Sequence, residues 1–180
     1  MNGTKLAGGP TQDEIMAISL AKLGLLGTDT VLEIGCGTGK VSVAMAKTAK
    51  KVYSLDKRPE AISFATETAR EAGVQGIEFF CMDAMDFLER DHVFDCAFLG
   101  GTRHIAEILP VLAKKVKRTI VINAVMVSTL ERAVTTLKGL GLFTEVVQVQ
   151  VSRSHDIAGS IMFRPIDPVY VIVGRGAACS

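Results

Sequence analysis

A short apolar run that leads into three glycines at alternate positions constrains this chain more than any other part of its sequence. The run covers residues 31–34 and carries one acid, Glu33, while the glycines lie within residues 35–39. Glycine has no Cβ, so the backbone can turn at positive φ and approach a ligand closely. Residues 40–49 have a helical pattern, so free N–H groups of the loop and the positive end of a helix dipole face that ligand. The stretch predicts a strand, a ligand-binding loop and a helix.

Strand and helix patterns alternate along most of the chain. Such alternation predicts an α/β fold with a parallel, doubly wound sheet and helices on both faces. A capping-box pattern, with Thr11 as N-cap and Glu14 reaching back to it, predicts one more helix before the first strand. Strands are expected near residues 30–35, 51–55, 77–81, 94–99 and 118–123, and helices near 38–49, 58–72, 103–115 and 127–140.

Two runs rich in β-branched residues break this alternation near the end of the chain. They cover residues 142–151 and 168–173, and no helix-length segment separates them. We therefore expect them to pair antiparallel, as a long hairpin at one edge of the sheet. Residues 152–165 between them are expected to form a functional or mobile connection. Together these elements predict one domain over residues 1–180, in which residues 1–10 are flexible.

The spacing of the glycine loop indicates which kind of ligand it binds. A dinucleotide-binding fingerprint needs a third glycine at position 40, where this chain has Lys40. A carboxylate just before the loop, Glu33, suits a cationic group such as the amino group of a methionine moiety. Asp56 ends the second strand, 21 positions after Gly35, where an acid can accept hydrogen bonds from both ribose hydroxyls. The sequence thus predicts a pocket for S-adenosylmethionine.

Two further pairs of residues fall at strand ends, and each has two interpretations. Asp83 and Ala84 follow the third strand, where they can contact an adenine ring, although Asp83 equally suits the cap of a helical turn. Gly100 and Gly101 follow the fourth strand, where open α/β sheets place their substrate, although a plain turn into the next helix also fits.

Composition excludes several classes of function. The chain has 20 basic and 19 acidic residues, and a net charge of +1 gives no electrostatic basis for a nucleic-acid or membrane partner. Its four cysteines form no C-x-x-C pair and are typical of reduced thiols in a cytoplasmic protein. Its three histidines lack the spacing of a metal site, so no metal is expected. No apolar run is long enough to span a membrane.

Several short stretches resemble one family. They are Gly9-Pro10-Thr11, residues 34–39, residues 52–62, residues 99–101 and the late hairpin with its Arg-bearing loop, and the resemblance covers about residues 11–174. The chain resembles the cobalt-precorrin C15-methyltransferases (decarboxylating) of cobalamin biosynthesis, which are class I S-adenosylmethionine-dependent methyltransferases. The resemblance implies a Rossmann-like sheet of seven mostly parallel strands with an antiparallel C-terminal hairpin. It also implies methylation of C15 of a (cobalt-)precorrin, loss of the acetate carboxyl group at C12, and a homotetramer.

Site residues follow from the motifs and from the resemblance together. A precorrin is a macrocycle fringed with carboxylates, and arginine pairs with carboxylates through two hydrogen bonds. Each basic residue proposed below as a substrate contact could, taken singly, also be an ordinary surface charge. The expected cofactor residues are Thr11, Glu33, Gly35, Cys36, Gly37, Thr38, Gly39, Asp56, Asp83 and Ala84, and the expected substrate residues are Gly100, Gly101, Arg103, Arg153 and Arg164, with His104 and His155 as further candidates.

Some questions stay open at the level of sequence. Met162 and Phe163 either cover the face of the macrocycle or pack beneath the hairpin, and no catalytic residue is identified. A methyltransferase of related fold that acts on tRNA or protein is an alternative, although the Pro-Pro-aromatic element of base-methylating enzymes is missing after the fourth strand. A non-catalytic S-adenosylmethionine-binding module is the second alternative.

Overall fold

The computed structural model describes residues 11–178, so the expectation for residues 1–10 lies outside the described part of the chain. Within residues 11–178, six helices and nine strands alternate much as the sequence predicts. The helices are α1 (Asp13–Leu23), α2 (Lys40–Ala46), α3 (Pro59–Glu71), α4 (Ala84–Leu88), α5 (Ile105–Ala113) and α6 (Val127–Gly139). The strands are β1 (Thr30–Ile34), β2 (Lys51–Asp56), β3 (Ile77–Cys81), β4 (Phe94–Leu99), β5 (Val116–Ala124), β6 (Phe143–Val149), β7 (Ser152–Ile157), β8 (Ser160–Pro165) and β9 (Val169–Arg175).

Seven of the strands form one sheet in the order β3-β2-β1-β4-β5-β9-β6. The first five are parallel to one another, and β9 is antiparallel to both β5 and β6. The predicted fold class is therefore confirmed. Because the strand order reverses between β1 and β4, the carboxyl ends of these two strands border the crevice in which open α/β sheets bind ligands.

Alternation along the buried strands supplies a separate apolar core on each face of this sheet. In β1, Leu32 belongs to the core on the face covered by α4, α5 and α6, whereas the neighbouring Val31 belongs to the core on the face covered by α1 and α2. Successive side chains of a strand point to opposite faces, which is why both are fully buried. Among residues 11–178, no helix is both long and apolar enough to cross a membrane.

The predicted capping box at the start of α1 is wrong. The N-cap is Gln12, and its side chain makes no capping hydrogen bond. The Glu14 carboxylate pairs with Arg153 at 2.6 Å, while the Thr11 carbonyl accepts a hydrogen bond from Lys40 Nζ at 3.2 Å. Tertiary partners thus replace the local cap, and Lys40 also contacts Asp13 at 2.7 Å. These contacts fasten the start of α1 to the helix that follows the glycine loop.

The end of the chain is partly as predicted. β6 and β9 pair antiparallel at one edge of the sheet, as expected, but β9 lies inside, between β5 and β6. The segment between them is not an irregular connection, because β7 and β8 form a separate two-stranded antiparallel sheet. In its register His155 faces Met162 and Ser154 faces Phe163, so Met162 and Phe163 lie on opposite faces of this hairpin.

Candidate active site

The glycine loop is held against the ends of the neighbouring strands by backbone hydrogen bonds. The N–H groups of Gly35 and Cys36 both donate to the Leu55 carbonyl, at 2.8 and 2.9 Å. Gly35 has a φ of 84°, and a Cβ built on it would lie 2.3 Å from the backbone nitrogen of Gly101. Only glycine fits at position 35, since its Cα presses directly on a neighbouring main chain.

Gly100 and Gly101 are the other side of this contact. Their N–H groups both donate to the Ile34 carbonyl at 2.9 Å, and a Cβ on Gly100 would lie 3.0 Å from the Gly35 oxygen. The two glycines therefore let the end of β4 pack against the end of β1. They also line the cavity described next, so a structural role and the predicted substrate role are compatible at this position.

One large cavity of about 760 Å³ lies at the carboxyl ends of the parallel strands. Its size suits a small-molecule ligand. Gly39 lies outside its lining, because Gly39 closes the loop by donating to the Cys36 carbonyl and packs against Ala65. Predicted site residues that line the cavity are Thr11, Glu33, Gly35, Cys36, Gly37, Thr38, Asp56, Asp83, Ala84, Gly100, Gly101, Arg103 and His104.

Glu33 is a buried acid in the wall of this cavity. Its Oε2 accepts short hydrogen bonds from Ser42 Oγ and Ser54 Oγ, and the side chain is almost fully enclosed. Burial raises the pKa of Glu33 to about 7, although the two serine hydroxyls oppose that shift. The group is thus poised between its neutral and ionised forms near neutral pH, and a cation beside it would favour ionisation.

Asp56 is the most heavily hydrogen-bonded acid in the cavity. Its carboxylate accepts from Gly37 N at 3.1 Å, from Arg58 N at 3.1 Å, and from Arg58 Nε and Nη2 at 3.0 Å. Burial alone raises the pKa of Asp56, but these hydrogen bonds outweigh burial and the pKa lies below its ordinary value. The side chain is ionised at neutral pH.

Two other predicted residues have defined local roles. Asp83 accepts a hydrogen bond from Met85 N at 2.9 Å, so its predicted capping role is confirmed while it also lines the cavity. Burial, with smaller contributions from Glu33 and Asp56, raises the pKa of the Cys36 thiol, which stays protonated. Cys36 is therefore not a thiolate nucleophile.

The predicted substrate arginines fall into two places. Arg103 lines the large cavity, next to His104, whose φ of 56° is left-handed. Arg153 and Arg164 instead line a second concavity of about 300 Å³, together with His155. Gln12 and Ile166 border both hollows, so the second one adjoins the first.

The two arginines of the second concavity have different partners. Arg153 donates from Nε and Nη2 to the Glu14 carboxylate at 3.0 and 2.6 Å, so its charge is largely neutralised. Arg164 faces Arg153 directly across the β7–β8 ladder, where two like charges oppose each other. His155 Nδ1 in the same hollow is buried and has no hydrogen-bond partner among the described residues. This group of donors is suited to a carboxylate.

Sequence reasoning missed several polar residues that line the large cavity, among them Arg58 and Asn123. Arg58 was absent from the predictions although it lies two residues beyond Asp56. Asn123, at the end of β5, lines the cavity, and its Oδ1 lies 3.0 Å from Ser19 Oγ. Ser19 has a single proton and also lies 2.8 Å from the Ile15 carbonyl, so it cannot donate to both acceptors at once. A polar residue at the carboxyl end of a central strand was the signal available for Asn123.

Comparison with known proteins agrees with this geometry. Residues 5–174 match the family model described as "Precorrin methyltransferase domain". A relative from Methanosarcina mazei, named "Probable cobalt-precorrin-6B C(15)-methyltransferase (decarboxylating)", is 44% identical over 94% of this chain and 95% of its own.

Solved structures show the same fold over nearly their whole length. A precorrin 8w decarboxylase from Methanobacterium thermoautotrophicum superposes with a TM-score of 0.89 at 26% identity, over 92% of this chain and 91% of its own. A precorrin-6y C5,15-methyltransferase from Geobacter metallireducens superposes with a TM-score of 0.88 at 25% identity, over 97% of both chains. The resemblance found in the motifs is thus confirmed, and the chain belongs to the precorrin methyltransferase family.

Proposed function

We propose that this protein transfers a methyl group from S-adenosylmethionine to C15 of a (cobalt-)precorrin and removes the acetate carboxyl group at C12 as carbon dioxide, in cobalamin biosynthesis. One observation carries the proposal. A single cavity joins the glycine loop and Asp56 to Gly100, Gly101 and Arg103, so donor and acceptor sites meet at the carboxyl end of the sheet. The relative from Methanosarcina mazei carries the name of this reaction.

The half of the cavity around the glycine loop suits S-adenosylmethionine. Asp56 would accept the ribose hydroxyls, and Glu33 would face the ammonium group of the methionine moiety. Asp83 and Ala84 would border the adenine, and Thr11 would close the cavity from the side of α1. When bound, the sulfonium supplies an electrophilic methyl group. These residues hold and orient it, and alignment with the attacking carbon provides most of the acceleration, so no strong base is required.

The other half suits a broad macrocycle with acidic side chains. Arg103 stands in the cavity wall, as does the exposed apolar residue Val125, which directly follows the end of β5. Arg164 and His155 in the adjoining concavity would receive a peripheral carboxylate. During decarboxylation the electron pair of the breaking C–C bond passes into the conjugated ring, and a proton then replaces carbon dioxide.

We also propose that the protein is a cytoplasmic homotetramer. The β7–β8 hairpin stands apart from the main sheet and exposes Ile161 and Phe163 on one face and Ile157 and Met162 on the other, so both faces offer apolar side chains for contact with other copies of this chain. Light scattering coupled to gel filtration should give four times the mass of the chain. Replacing Ile161 and Phe163 by Ser should give smaller assemblies, and a monomeric parent protein would contradict the proposal.

The reaction itself is tested by incubating purified protein with a cobalt-precorrin and S-adenosylmethionine that carries a labelled methyl group. Mass spectrometry of the tetrapyrrole should show the gain of one labelled methyl group and the loss of one carbon dioxide. Label without loss of carbon dioxide would retain only the methyltransferase half of the proposal. An unchanged tetrapyrrole, or label transferred to tRNA instead, would refute it.

Substitution of Asp56 tests the proposed binding of the cofactor ribose. In Asp56→Asn, we expect the Kd for S-adenosylhomocysteine to rise about 30-fold, because a charged acceptor of the ribose hydroxyls becomes a neutral amide worth about 2 kcal/mol less. Calorimetry measures this Kd. Asp95→Asn is the matched control, since Asp95 also accepts a backbone N–H, from Thr30 at 2.8 Å, but lies at the opposite end of the sheet. Equal affinity in the two variants would contradict a ribose role for Asp56.

Substitution of Arg164 tests the proposed binding of the precorrin in the second concavity. We expect Arg164→Ala to raise the KM for the precorrin about tenfold, the order of one lost charge-assisted pair, without changing the Kd for S-adenosylhomocysteine. Arg153→Ala should have a smaller effect, because Glu14 already neutralises Arg153. Arg132→Ala, on the exposed face of α6, serves as the control. If Arg164→Ala leaves KM unchanged, the second concavity does not bind substrate.

A further inference from the structure

The Asp56 carboxylate has no spare acceptor position in this structure. A carboxylate offers about four lone-pair positions. Oδ1 accepts from the backbone N–H of Arg58 and from Arg58 Nε, while Oδ2 accepts from Gly37 N and from Arg58 Nη2. All four donors lie between 3.0 and 3.1 Å from the oxygen that they contact. Two ribose hydroxyls cannot be added to this set, so they must replace two of its members.

The two backbone donors are fixed in place. Gly37 belongs to the glycine loop, whose turn is closed by the hydrogen bond from Gly39 N to the Cys36 carbonyl. The N–H of Arg58 belongs to the N-cap residue of α3, directly before Pro59. Moving either donor would rebuild a loop or a helix end.

The guanidinium is the pair of donors that can leave. The Arg58 side chain is one-third exposed, whereas the side chain of Asp56 is 5% exposed. An arginine head group is carried on a flexible stem, so rotation about that stem releases the two hydrogen bonds from the Arg58 guanidinium to Asp56 without moving the backbone. Arg58 also lines the large cavity and thus borders the volume into which a ligand would enter.

We infer that Arg58 competes with the cofactor ribose for Asp56, so that binding of S-adenosylmethionine requires the guanidinium to leave and Arg58 sets the cofactor affinity. The inference rests on the proposed function, which gives the ribose to Asp56. Arg58 keeps the buried carboxylate ionised and oriented, and two hydroxyl groups then exchange with two N–H donors. The cost of breaking a bidentate ion pair is subtracted from the affinity of every ligand that uses the carboxylate.

A second role for Arg58 would have the opposite consequence. If the guanidinium stayed in place and bound the cofactor directly, its removal would weaken binding. Under competition, its removal must strengthen binding, because two acceptor positions become available. The sign of the change therefore separates the two roles.

The test compares Arg58→Ala, Arg58→Lys and the parent protein by calorimetry with S-adenosylhomocysteine. We expect the Kd to fall about tenfold in Arg58→Ala, the order of one charge-assisted hydrogen bond of a partly exposed group. Arg58→Lys should lie between the two, since an ammonium cannot make the planar two-point contact. Arg70→Ala is the control, because Arg70 lies in the last turn of α3, away from the cavity, and pairs with the exposed Glu67. Thermal unfolding of each variant identifies any loss of folded protein.

A second ligand makes the result independent of folding. An analogue of S-adenosylhomocysteine without the two ribose hydroxyls cannot displace the guanidinium, so its affinity should change little between the parent protein and Arg58→Ala. The Kd for the analogue divided by the Kd for S-adenosylhomocysteine should therefore be about tenfold larger in Arg58→Ala than in the parent protein. An unchanged or smaller ratio in a folded Arg58→Ala protein would overturn the inference while leaving the proposed function intact. Failure of the parent protein to bind S-adenosylhomocysteine at all would refute both.

Discussion

Gly35→Ala should abolish cofactor binding and lower the free energy of unfolding by about 4 kcal/mol. Two penalties add at this position. The φ of 84° is unfavourable for any residue with a Cβ, and the new Cβ would lie 2.3 Å from Gly101 N and 2.6 Å from Gly101 Cα. Both obstacles are main-chain atoms, so no side-chain rotation relieves the overlap. The ends of β1 and β4 must separate, and this opens the cavity that they border.

Gly73→Ala provides the control for Gly35→Ala. Gly73 also has a positive φ, of 62°, but a Cβ there would meet nothing within 4 Å. The free energy of unfolding of Gly73→Ala should therefore fall by only about 1 kcal/mol, the cost of a Cβ at positive φ, and the variant should keep its affinity for S-adenosylhomocysteine. Urea denaturation and calorimetry measure the two quantities. If the two alanine variants were equally stable, the close packing of Gly35 on Gly101 would be wrong.

The stability of the protein should depend on pH through Glu33. The pKa of Glu33 is raised from 4.5 to about 7 in the folded protein, mainly by burial. The folded state therefore binds this proton more tightly than the unfolded state. Protonation of Glu33 therefore contributes about 3 kcal/mol to the free energy of unfolding. This contribution is fully present below about pH 4.5 and is lost as the pH rises through about 7.

Glu33→Gln isolates this contribution. The amide keeps the shape of the side chain and an acceptor for Ser42 and Ser54, but it does not ionise. We expect the free energy of unfolding of the parent protein to fall relative to that of Glu33→Gln by about 3 kcal/mol between about pH 4.5 and about pH 8. Glu78→Gln, at an exposed position of β3, is the control for the carboxyl-to-amide substitution itself. Parallel pH profiles of the parent and Glu33→Gln would show that Glu33 does not titrate in this range.

The sequence predicted the parallel half of the sheet well, because each strand there is a short buried run between a turn and a helix. The glycine spacing and Asp56 likewise located the cavity, since the loop must follow β1 and the acid must end β2. These features depend on neighbours along the chain and on the common edge of a parallel sheet. Such features can be recognised from spacing alone.

The features that failed depend on partners far away in the chain. Thr11 and Glu14 have the spacing of a capping box, but the ion pair of Glu14 with Arg153 spans 139 positions. The β7–β8 hairpin lacks apolar alternation and turns at Ala158 and Gly159, both with positive φ, without the Asn-Gly or Asp-Gly pair that indicates such a turn. The Arg58 contact depends on side-chain rotation, which spacing does not report.

The position of β9 has a consequence for how the protein is made. β9 is the last strand in the described part of the chain, yet it lies between β5 and β6 and is the partner of both. A ribosome delivers the chain from its amino end, so the edge of β5 stays open and β6 has no place in the sheet until Val169–Arg175 has emerged. Open strand edges invite pairing with other chains. A message truncated before codon 169 would therefore yield an aggregation-prone product, even though it encodes every residue of the glycine loop.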